Sequence, residues 1–475
     1  MKGAAAGAAL ALVATAFVTP AVRHLAFRIG AVDLPGARRV HRRPVARLGG
    51  VGVLVGFFVA LVVLGFTHSA AARLFFGEPL RFVGLLVGGA LVCFLGVADD
   101  IRGVPPSQKL LVQAIAASIG YACGFRIEAI SLPFLGVVEL HFLAAPATVL
   151  WFVAIMNALN LIDGLDGLAG GIAFFACVSN LVVAYLNESP MVLVLAGTLA
   201  GAILGFLLYN FNPASIFLGD SGSLFLGFTL AAMSLLGSTI KSSTAVSILV
   251  PIIALGVPIT DTLLAMVRRV LAKRPIFSAD REHIHHRLLD LGIGHRSAVL
   301  VLYAMTIVLT VSAIAFAIGS GWEVGGALVL VAVVLFGMVR TSGRFAAAGV
   351  HGSAAAHLDA GAAQAIRVAA VDAVQAIGSA TSDAEIASVL SRFAGATIVR
   401  AAVVESREVA LERVSQPDDI DWNWLAFDLG GPDSPRCVRF ELPHEVSPDW
   451  ADVRLPLQLL ALAIERKLAS LAENP

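Results

Sequence analysis

Residues 145–187 read APATVLWFVAIMNALNLIDGLDGLAGGIAFFACVSNLVVAYLN, two apolar runs (145–162 and 167–187) around the turn Asp163-Gly164-Leu165-Asp166-Gly167. Each run is close to the ~20 residues a helix needs to cross the hydrocarbon core. The segment therefore predicts two membrane helices joined by a short acidic turn. The same ruler moved outward gives further spans at roughly 4–22, 49–67, 81–98, 108–125, 190–209, 222–239, 244–267, 297–318 and 322–340, about eleven in all. The expected fold is an all-α polytopic membrane protein. Its composition agrees: 58% hydrophobic and 14% charged residues, with a mean hydropathy of +0.86, against about 45–50% and about 25% in a globular domain. That excludes an ordinary soluble protein. The net charge of +0 gives no electrostatic reason for a nucleic-acid partner. Cys93, Cys123, Cys177 and Cys437 are too scattered for a metal site or disulfide framework and read as small apolar residues. The apolar stretch at residues 1–20 is too long for a cleaved signal and reads as the first span.

Charge orients the chain. The loop after the first span carries Arg23, Arg28, Arg38, Arg39, Arg42, Arg43 and Arg47; the loop after the ninth carries Arg268, Arg269, Lys273, Arg274, Arg281, Arg287 and Arg296. Loops of the other parity hold scattered cations such as Arg73, Arg81, Arg126 and Lys241. The positive-inside rule then puts the odd-numbered loops in the cytoplasm and the N-terminus outside. After residue 340 the composition changes. A Gly/Ser/Ala linker (341–358) leads to a soluble α/β domain (359–475). Helices are expected at 362–377 and 383–393, strands at 397–404, 424–428 and 437–442, and a closing amphipathic helix at 449–472. This cytoplasmic domain faintly resembles a GAF-like module and is expected to regulate or bind rather than catalyse.

The unusual residues sit in the odd-numbered loops. The first holds Asp33, His41 and Arg47; the third Asp99-Asp100 and Lys109; the fifth Asn157, Asn160, Asp163, Gly164, Leu165 and Asp166; the seventh Asn210 and Phe217-Leu-Gly-Asp220-Ser-Gly-Ser223; the ninth Asp280 and His283-Ile-His285-His286-Arg287. Each cluster alone has a plainer reading. Asp99-Asp100 could mark the membrane surface, Asp163 and Asp166 a polar turn, and Asp220 a helix N-cap. The histidines and Arg38–Arg47 could be solvated positive-inside residues. All five clusters on one face, with costly carboxylates near a bilayer, point to one composite site. Clustered acids opposite His and Arg suit a divalent cation with oxygen ligands and a polyanionic substrate. Mg²⁺ fits better than Zn²⁺, because it takes few carboxylates and keeps positions for water and phosphate. The histidines and Arg287 suit phosphate through charge-assisted hydrogen bonds, and the asparagines and glycines of 157–167 suit a nucleotide. Gly197, Gly201 and Gly205 share a helix face and read as close helix packing.

The ordered set Asp99-Asp100, Asn-x-x-Asn-x-x-Asp-Gly-x-Asp-Gly (157–167), Phe-Leu-Gly-Asp-Ser-Gly-Ser (217–223) and His-Ile-His-His-Arg (283–287) resembles the polyprenyl-phosphate N-acetylhexosamine-1-phosphate transferases. The resemblance covers roughly residues 1–340. The last motif is similar to the branch using N-acetylglucosamine-1-phosphate for O-antigen, enterobacterial common antigen and teichoic acid. The Pro-x-His-His-His form of the peptidoglycan branch is not found.

This resemblance implies Asp220 as principal Mg²⁺ ligand (Mn²⁺ the alternative ion), with Asp99 or Asp100 nearby. It implies Phe217 stacked on uracil beside Asn210, and Gly164, Leu165 and Asp166 contacting uridine. His283, His285, His286 and Arg287 would hold the diphosphate or sugar, and Asp99 is the proposed base. Asp100 and Asp163 complete the catalytic candidates; Lys109, Asn157, Asn160, His41 and Arg47 complete the substrate-binding ones. The expected partners are a UDP-sugar, undecaprenyl phosphate and the lipid bilayer, with a homodimer among the expected assemblies, in the cytoplasmic membrane of a bacterium. The lipid phosphate is already largely a dianion at neutral pH, its second pKa being about 6. A base would therefore add little to direct attack on the β-phosphate with UMP leaving, although a covalent aspartyl intermediate stays open. A groove for the isoprenoid is expected near the fifth, eighth and ninth spans, with Pro251 and Pro258 bending the ninth.

Two rivals fit less well. A CDP-alcohol phosphotransferase would need an Arg soon after Gly167 and further downstream acids, where the chain reads Leu168-Ala169-Gly170-Gly171. A transporter would place charges mid-membrane and show repeated halves. The sugar donor remains open among UDP-N-acetylglucosamine, UDP-N-acetylgalactosamine, a UDP-6-deoxy-N-acetylhexosamine and UDP-MurNAc-pentapeptide.

Overall fold

The structure is a computed structural model. It describes residues 1–33, 44–67, 77–132, 136–236, 244–271, 283–290, 293–319, 321–356, 360–397, 399–404, 422–428, 437–443 and 451–473. His41, Arg38–Arg43 and Asp280–Glu282 lie outside these. The chain forms two compact units, Met1–Ser342 and Gly343–Pro475.

The first unit is helical. Its elements are α1 (Lys2–Ile29), the short strands β1 (Val32–Asp33) and β2 (Val45–Ala46), α2 (Gly49–Gly65), α3 (Pro79–Arg102), α4 (Pro106–Ala122), the hairpin β3 (Ala129–Leu132) and β4 (Gly136–Glu139), α5 (Ala144–Ile162), α6 (Leu168–Leu186), α7 (Pro190–Asn210), α8 (Gly219–Leu236), α9 (Thr244–Ala254), α10 (Gly256–Leu271), α11 (Ile284–Asp290), α12 (His295–Ile318) and α13 (Trp322–Ala356). Eight helices among the described residues are long and apolar enough to cross a membrane. This is a polytopic, predominantly helical membrane protein. α2 and α4, each of 17 residues, lie at expected span positions, and α2 is a shorter apolar helix.

The ninth expected span is broken near its prolines, as expected: it is two helices, α9 and α10, meeting at Leu255. Pro258 explains the break. It has no N–H for the carbonyl of Ala254, four residues back, and α9 ends at that residue. α13 runs helical through Ala356, over most of the segment expected as a linker. Alanine's high helix propensity outweighs the scattered glycines there.

Glycines bring the helices close. On α7, a Cβ at Gly201 would lie 2.1 Å from the Ala8 carbonyl oxygen, and one at Gly205 2.4 Å from that of Leu12. The small-residue face therefore packs directly on the α1 backbone, as its spacing predicts. Cys93, Cys123 and Cys177 are free and buried, matching their reading as small apolar residues.

The second unit contains α14 (Ala360–Ser379), α15 (Asp383–Ala396), β5 (Arg400–Val404), β6 (Trp422–Asp428), β7 (Cys437–Pro443) and α16 (Ala451–Glu473). Its antiparallel sheet has the order β5-β7-β6. Ile377, Phe393, Phe440 and Ile464 lie in one buried cluster. Ser382 caps α15 by accepting the Glu385 amide, and Glu385 accepts the Thr381 amide in return. Those bonds to Thr381 hold the Glu385 carboxyl below the usual carboxylate range.

Candidate active site

Three helix ends bring the acids together. Asp99 and Asp100 lie in the last turn of α3, Asp163 follows α5, and Asp220 lies in the first turn of α8. Lys109, in the first turns of α4, places its ammonium 2.7 Å from Asp99 and 2.5 Å from Asp220. Residues 111 positions apart in sequence thus meet in one ion pair. Asp99 also accepts the Val104 amide at 2.6 Å. Asp100 plays a different part: its oxygens accept the amides of Asp220 (3.1 Å) and Ser221 (3.2 Å). It therefore caps the N-terminus of α8 from a neighbouring helix and fixes the backbone that carries Asp220.

The close approach of α3 and α8 depends on missing side chains. A Cβ on Gly96 would sit 2.2 Å from the Ser221 nitrogen, and one on Gly50 would sit 2.0 Å from the Gly222 nitrogen. Gly219 turns into α8 at φ 72°, a conformation suited to glycine. The chain after α7 is stitched to the first loop: Phe217 donates its amide to Ala46, Gly49 donates to Phe217, and Gly50 donates to Leu218. Arg47, 3.5 Å from Asp33, is anchored in this loop, and its charge reaches Asp163.

The Asp163 carboxyl is pushed well above the usual carboxylate range, first by burial and then by the negative charges of Asp220 and Asp100. The cluster is short of positive charge. Its donors are carboxylate oxygens, the chemistry of a hard divalent cation. Among the described residues, no three His, Cys, Asp or Glu side chains converge on one point.

The turn between α5 and α6 is braced from behind. Asp166 accepts from the Asn212 side chain (2.9 Å) and the Ala214 amide (3.0 Å). Its own amide donates to His295 Nε2 at 3.0 Å. Asn210 accepts the Gly167 amide (3.0 Å) and donates to the Ile216 carbonyl (2.9 Å), so the segment leading to Phe217 is locked under the turn. Tyr303 donates to the Gly167 carbonyl at 2.6 Å. Leu165 is buried. Asn157 and Asn160 tie helices together, donating to Gln113 and to Ser223 respectively.

The histidine motif divides. His283 and His285 are buried and their rings stack at 5.8 Å, whereas His286 is exposed. His285 lies over the turn, since a Cβ at Gly164 would be 2.2 Å from its Nε2. Burial, then the neighbouring His286, pushes its pKa down to about 3. It is therefore neutral at pH 7. Buried Arg287, in the first turn of α11, donates its amide to the His283 carbonyl.

Asp261, His295 and Tyr303 are site residues that the sequence motifs do not include. Asp261 has a signal, an acid inside an apolar run; His295 and Tyr303 have none beyond residue type.

Carboxylates from three helix ends, countered by a lysine and set beside a braced Gly-Asp turn in a polytopic fold, define a membrane-embedded enzyme acting on charged groups. Residues 82–238 match the model of glycosyl transferase family 4. The chain is 40% identical over 314 residues to the probable undecaprenyl-phosphate N-acetylglucosaminyl 1-phosphate transferase of Bacillus subtilis, covering 66% of this chain and 85% of that one. It is 36% identical over 319 residues to the decaprenyl-phosphate N-acetylglucosaminephosphotransferase of Mycobacterium tuberculosis (62% and 77% covered). It is 28% identical over 296 residues to the undecaprenyl-phosphate alpha-N-acetylglucosaminyl 1-phosphate transferase of Yersinia pestis (59% and 75%). The chain belongs to glycosyl transferase family 4 and is a phosphotransferase.

Proposed function

We propose that this enzyme transfers N-acetylhexosamine-1-phosphate, with N-acetylglucosamine-1-phosphate as the first choice, from a UDP-sugar to undecaprenyl phosphate. UMP is released, and lipid-linked surface polysaccharide synthesis begins at the cytoplasmic face. The observation that carries the reading is the meeting of Asp99 and Asp220 on Lys109, with Asp100 holding the Asp220 backbone and Asp163 within reach of the charges of Asp220 and Asp100, next to the braced Asp163–Gly167 turn. The names of the relatives support the substrate classes.

In the proposed reaction an oxygen of the lipid phosphate dianion forms a bond to the β-phosphorus of the donor. The bond from that phosphorus to the bridging oxygen breaks, and UMP leaves with the electron pair. The nucleophile needs no proton removed, so the protein's task is to bring two anions into line and neutralise them. Mg²⁺ would be held by Asp220 with Asp99, and Asp100 would steady the Asp220 backbone. When bound, the ion would neutralise phosphate oxygens and polarise the β-phosphate. Lys109 and Arg47 supply fixed positive charge. Gly164, Leu165 and Asp166 would contact uridine, with Phe217 stacked on the uracil. His286 and Arg287 would meet the diphosphate. Outward-facing Leu263, Val267 and Val270 on α10 suit an isoprenoid lying along that helix.

Purified protein with undecaprenyl phosphate, Mg²⁺ and a panel of UDP-sugars is expected to release UMP fastest with UDP-N-acetylglucosamine and to stop when EDTA is added. Release with a different donor would keep the reaction and change the sugar. Silence with every donor, from folded protein in lipid, would overturn the assignment. The turn can be tested separately. Tyr303→Phe removes the bond to Gly167, worth about 0.5–1.5 kcal/mol, and is expected to weaken UMP binding roughly 2- to 10-fold in calorimetric titration. Unchanged affinity would remove Tyr303 from the nucleotide site's support.

A further inference from the structure

Asp261 lies in α10, outside the motif set, and is only 2% exposed. A carboxylate buried this deeply is costly unless its oxygens are satisfied. Both are. Oδ2 lies 2.8 Å from His283 Nδ1, and Oδ1 accepts the Ile284 amide at 2.9 Å. Ile284 is the first residue of α11, the helix that carries His285, His286 and Arg287. One side chain thus holds both the His283 ring and the backbone where the motif turns helical.

The contact has a chemical consequence. An ionised carboxylate only accepts hydrogen bonds, so the ring nitrogen facing it must carry the proton. Facing an ionised Asp261, His283 would carry its N–H at Nδ1. Its other nitrogen, Nε2, has no hydrogen-bond partner among the described residues. A carboxylate behind a histidine fixes ring orientation and tautomer together. A simple cap of α11 would account for the Ile284 bond but would not require any particular tautomer of His283.

We propose that Asp261 is a positioning residue for the transfer reaction, fixing His283 as the Nδ1–H form and leaving the Nε2 lone pair to accept a hydrogen bond from a hydroxyl of the substrate's sugar. The inference rests on the transferase reading above, because it takes the histidine motif to be part of that site. Asp261→Asn is close to isosteric, but it turns an amide N–H toward Nδ1 and so forces the proton to Nε2.

The test uses the full-length protein in lipid nanodiscs with ¹⁵N-labelled histidine, the His283 signals being assigned by their loss in His283→Gln. Wild type is expected to show Nδ1 protonated, and Asp261→Asn to show the Nε2–H tautomer. In the UMP-release assay, Asp261→Asn is expected to lower kcat about 10- to 100-fold, the usual scale for losing such a supporting partner. KM for the UDP-sugar should stay within about 2-fold. The double variant Asp261→Asn/His283→Gln should be no slower than His283→Gln alone, since both changes act through one ring. An unprotonated Nδ1 in wild type, an unchanged kcat in folded Asp261→Asn, or fully additive losses in the double variant would each overturn the proposal. If Asp261→Asn does not fold, the wild-type spectrum still decides it. Absence of UMP release from the wild type would remove the reaction reading alone, with the tautomer still deciding whether Asp261 grips His283.

Discussion

Replacing Asp220 with alanine is expected to cut UMP release by about 10²- to 10³-fold or more, the scale for losing a key electrostatic group at a transition state. The folded state should barely change. The start of α8 is held by the Asp100 carboxylate on the backbone amides of Asp220 and Ser221, and those bonds do not use the Asp220 side chain. What disappears is the carboxylate facing Lys109 and, on the proposed reading, the main Mg²⁺ ligand. Asp100→Ala provides the contrast. It strips the cap from α8 and should cost about 0.5–2 kcal/mol of stability, along with activity. Melting temperature and turnover measured on both variants separate the roles. A normal rate for folded Asp220→Ala would end the assignment of Asp220 to the reaction.

Gly96→Ala is the second large effect, and here the fold should suffer as much as turnover. The added methyl would lie 2.2 Å from the Ser221 nitrogen and 2.3 Å from its Cα, against backbone that no side-chain rotation can clear. α3 and α8 would have to separate where Asp100 caps one with the other. Forcing extra carbon into a tight core typically costs about 1–3 kcal/mol, and the strain falls on the acid cluster. A melting temperature lowered by several degrees, with turnover reduced at least about 10-fold, is the expected result. Gly65→Ala is the control, since nothing lies within 4 Å of a Cβ at that position. A Gly96 variant as stable and active as this control would mean that the α3–α8 approach is looser than described.

Much of the site is legible in the sequence because membrane insertion depends on local patterns. Apolar runs of fixed length and the parity of charged loops suffice to assign Asp99-Asp100, Asp163, Asp166, Asp220 and the histidine motif to the same face. Within that face the individual parts are less legible. Asp100 and Asp99 are adjacent in sequence, yet one binds backbone amides and the other Lys109. Which neighbour does which follows from the angle at which α3 ends against α8. The three histidines look alike in sequence, but burial makes His285 neutral while His286 stays exposed.

The sequence by itself determined the class of protein, the positions of most spans and the chemical types gathered at one face, because hydropathy and loop charge are local properties that the bilayer reads directly. Tertiary structure decided the pairings. Lys109, paired with Asp99, meets Asp220 from 111 residues away, Asp261 meets His283 from a different helix, and Tyr303 braces Gly167 from 136 residues away. Each pairing depends on how closely and at what rotation two helices pack. That is set by glycines such as Gly50, Gly96 and Gly201, whose neighbours lie elsewhere in the chain and exist only once it has folded.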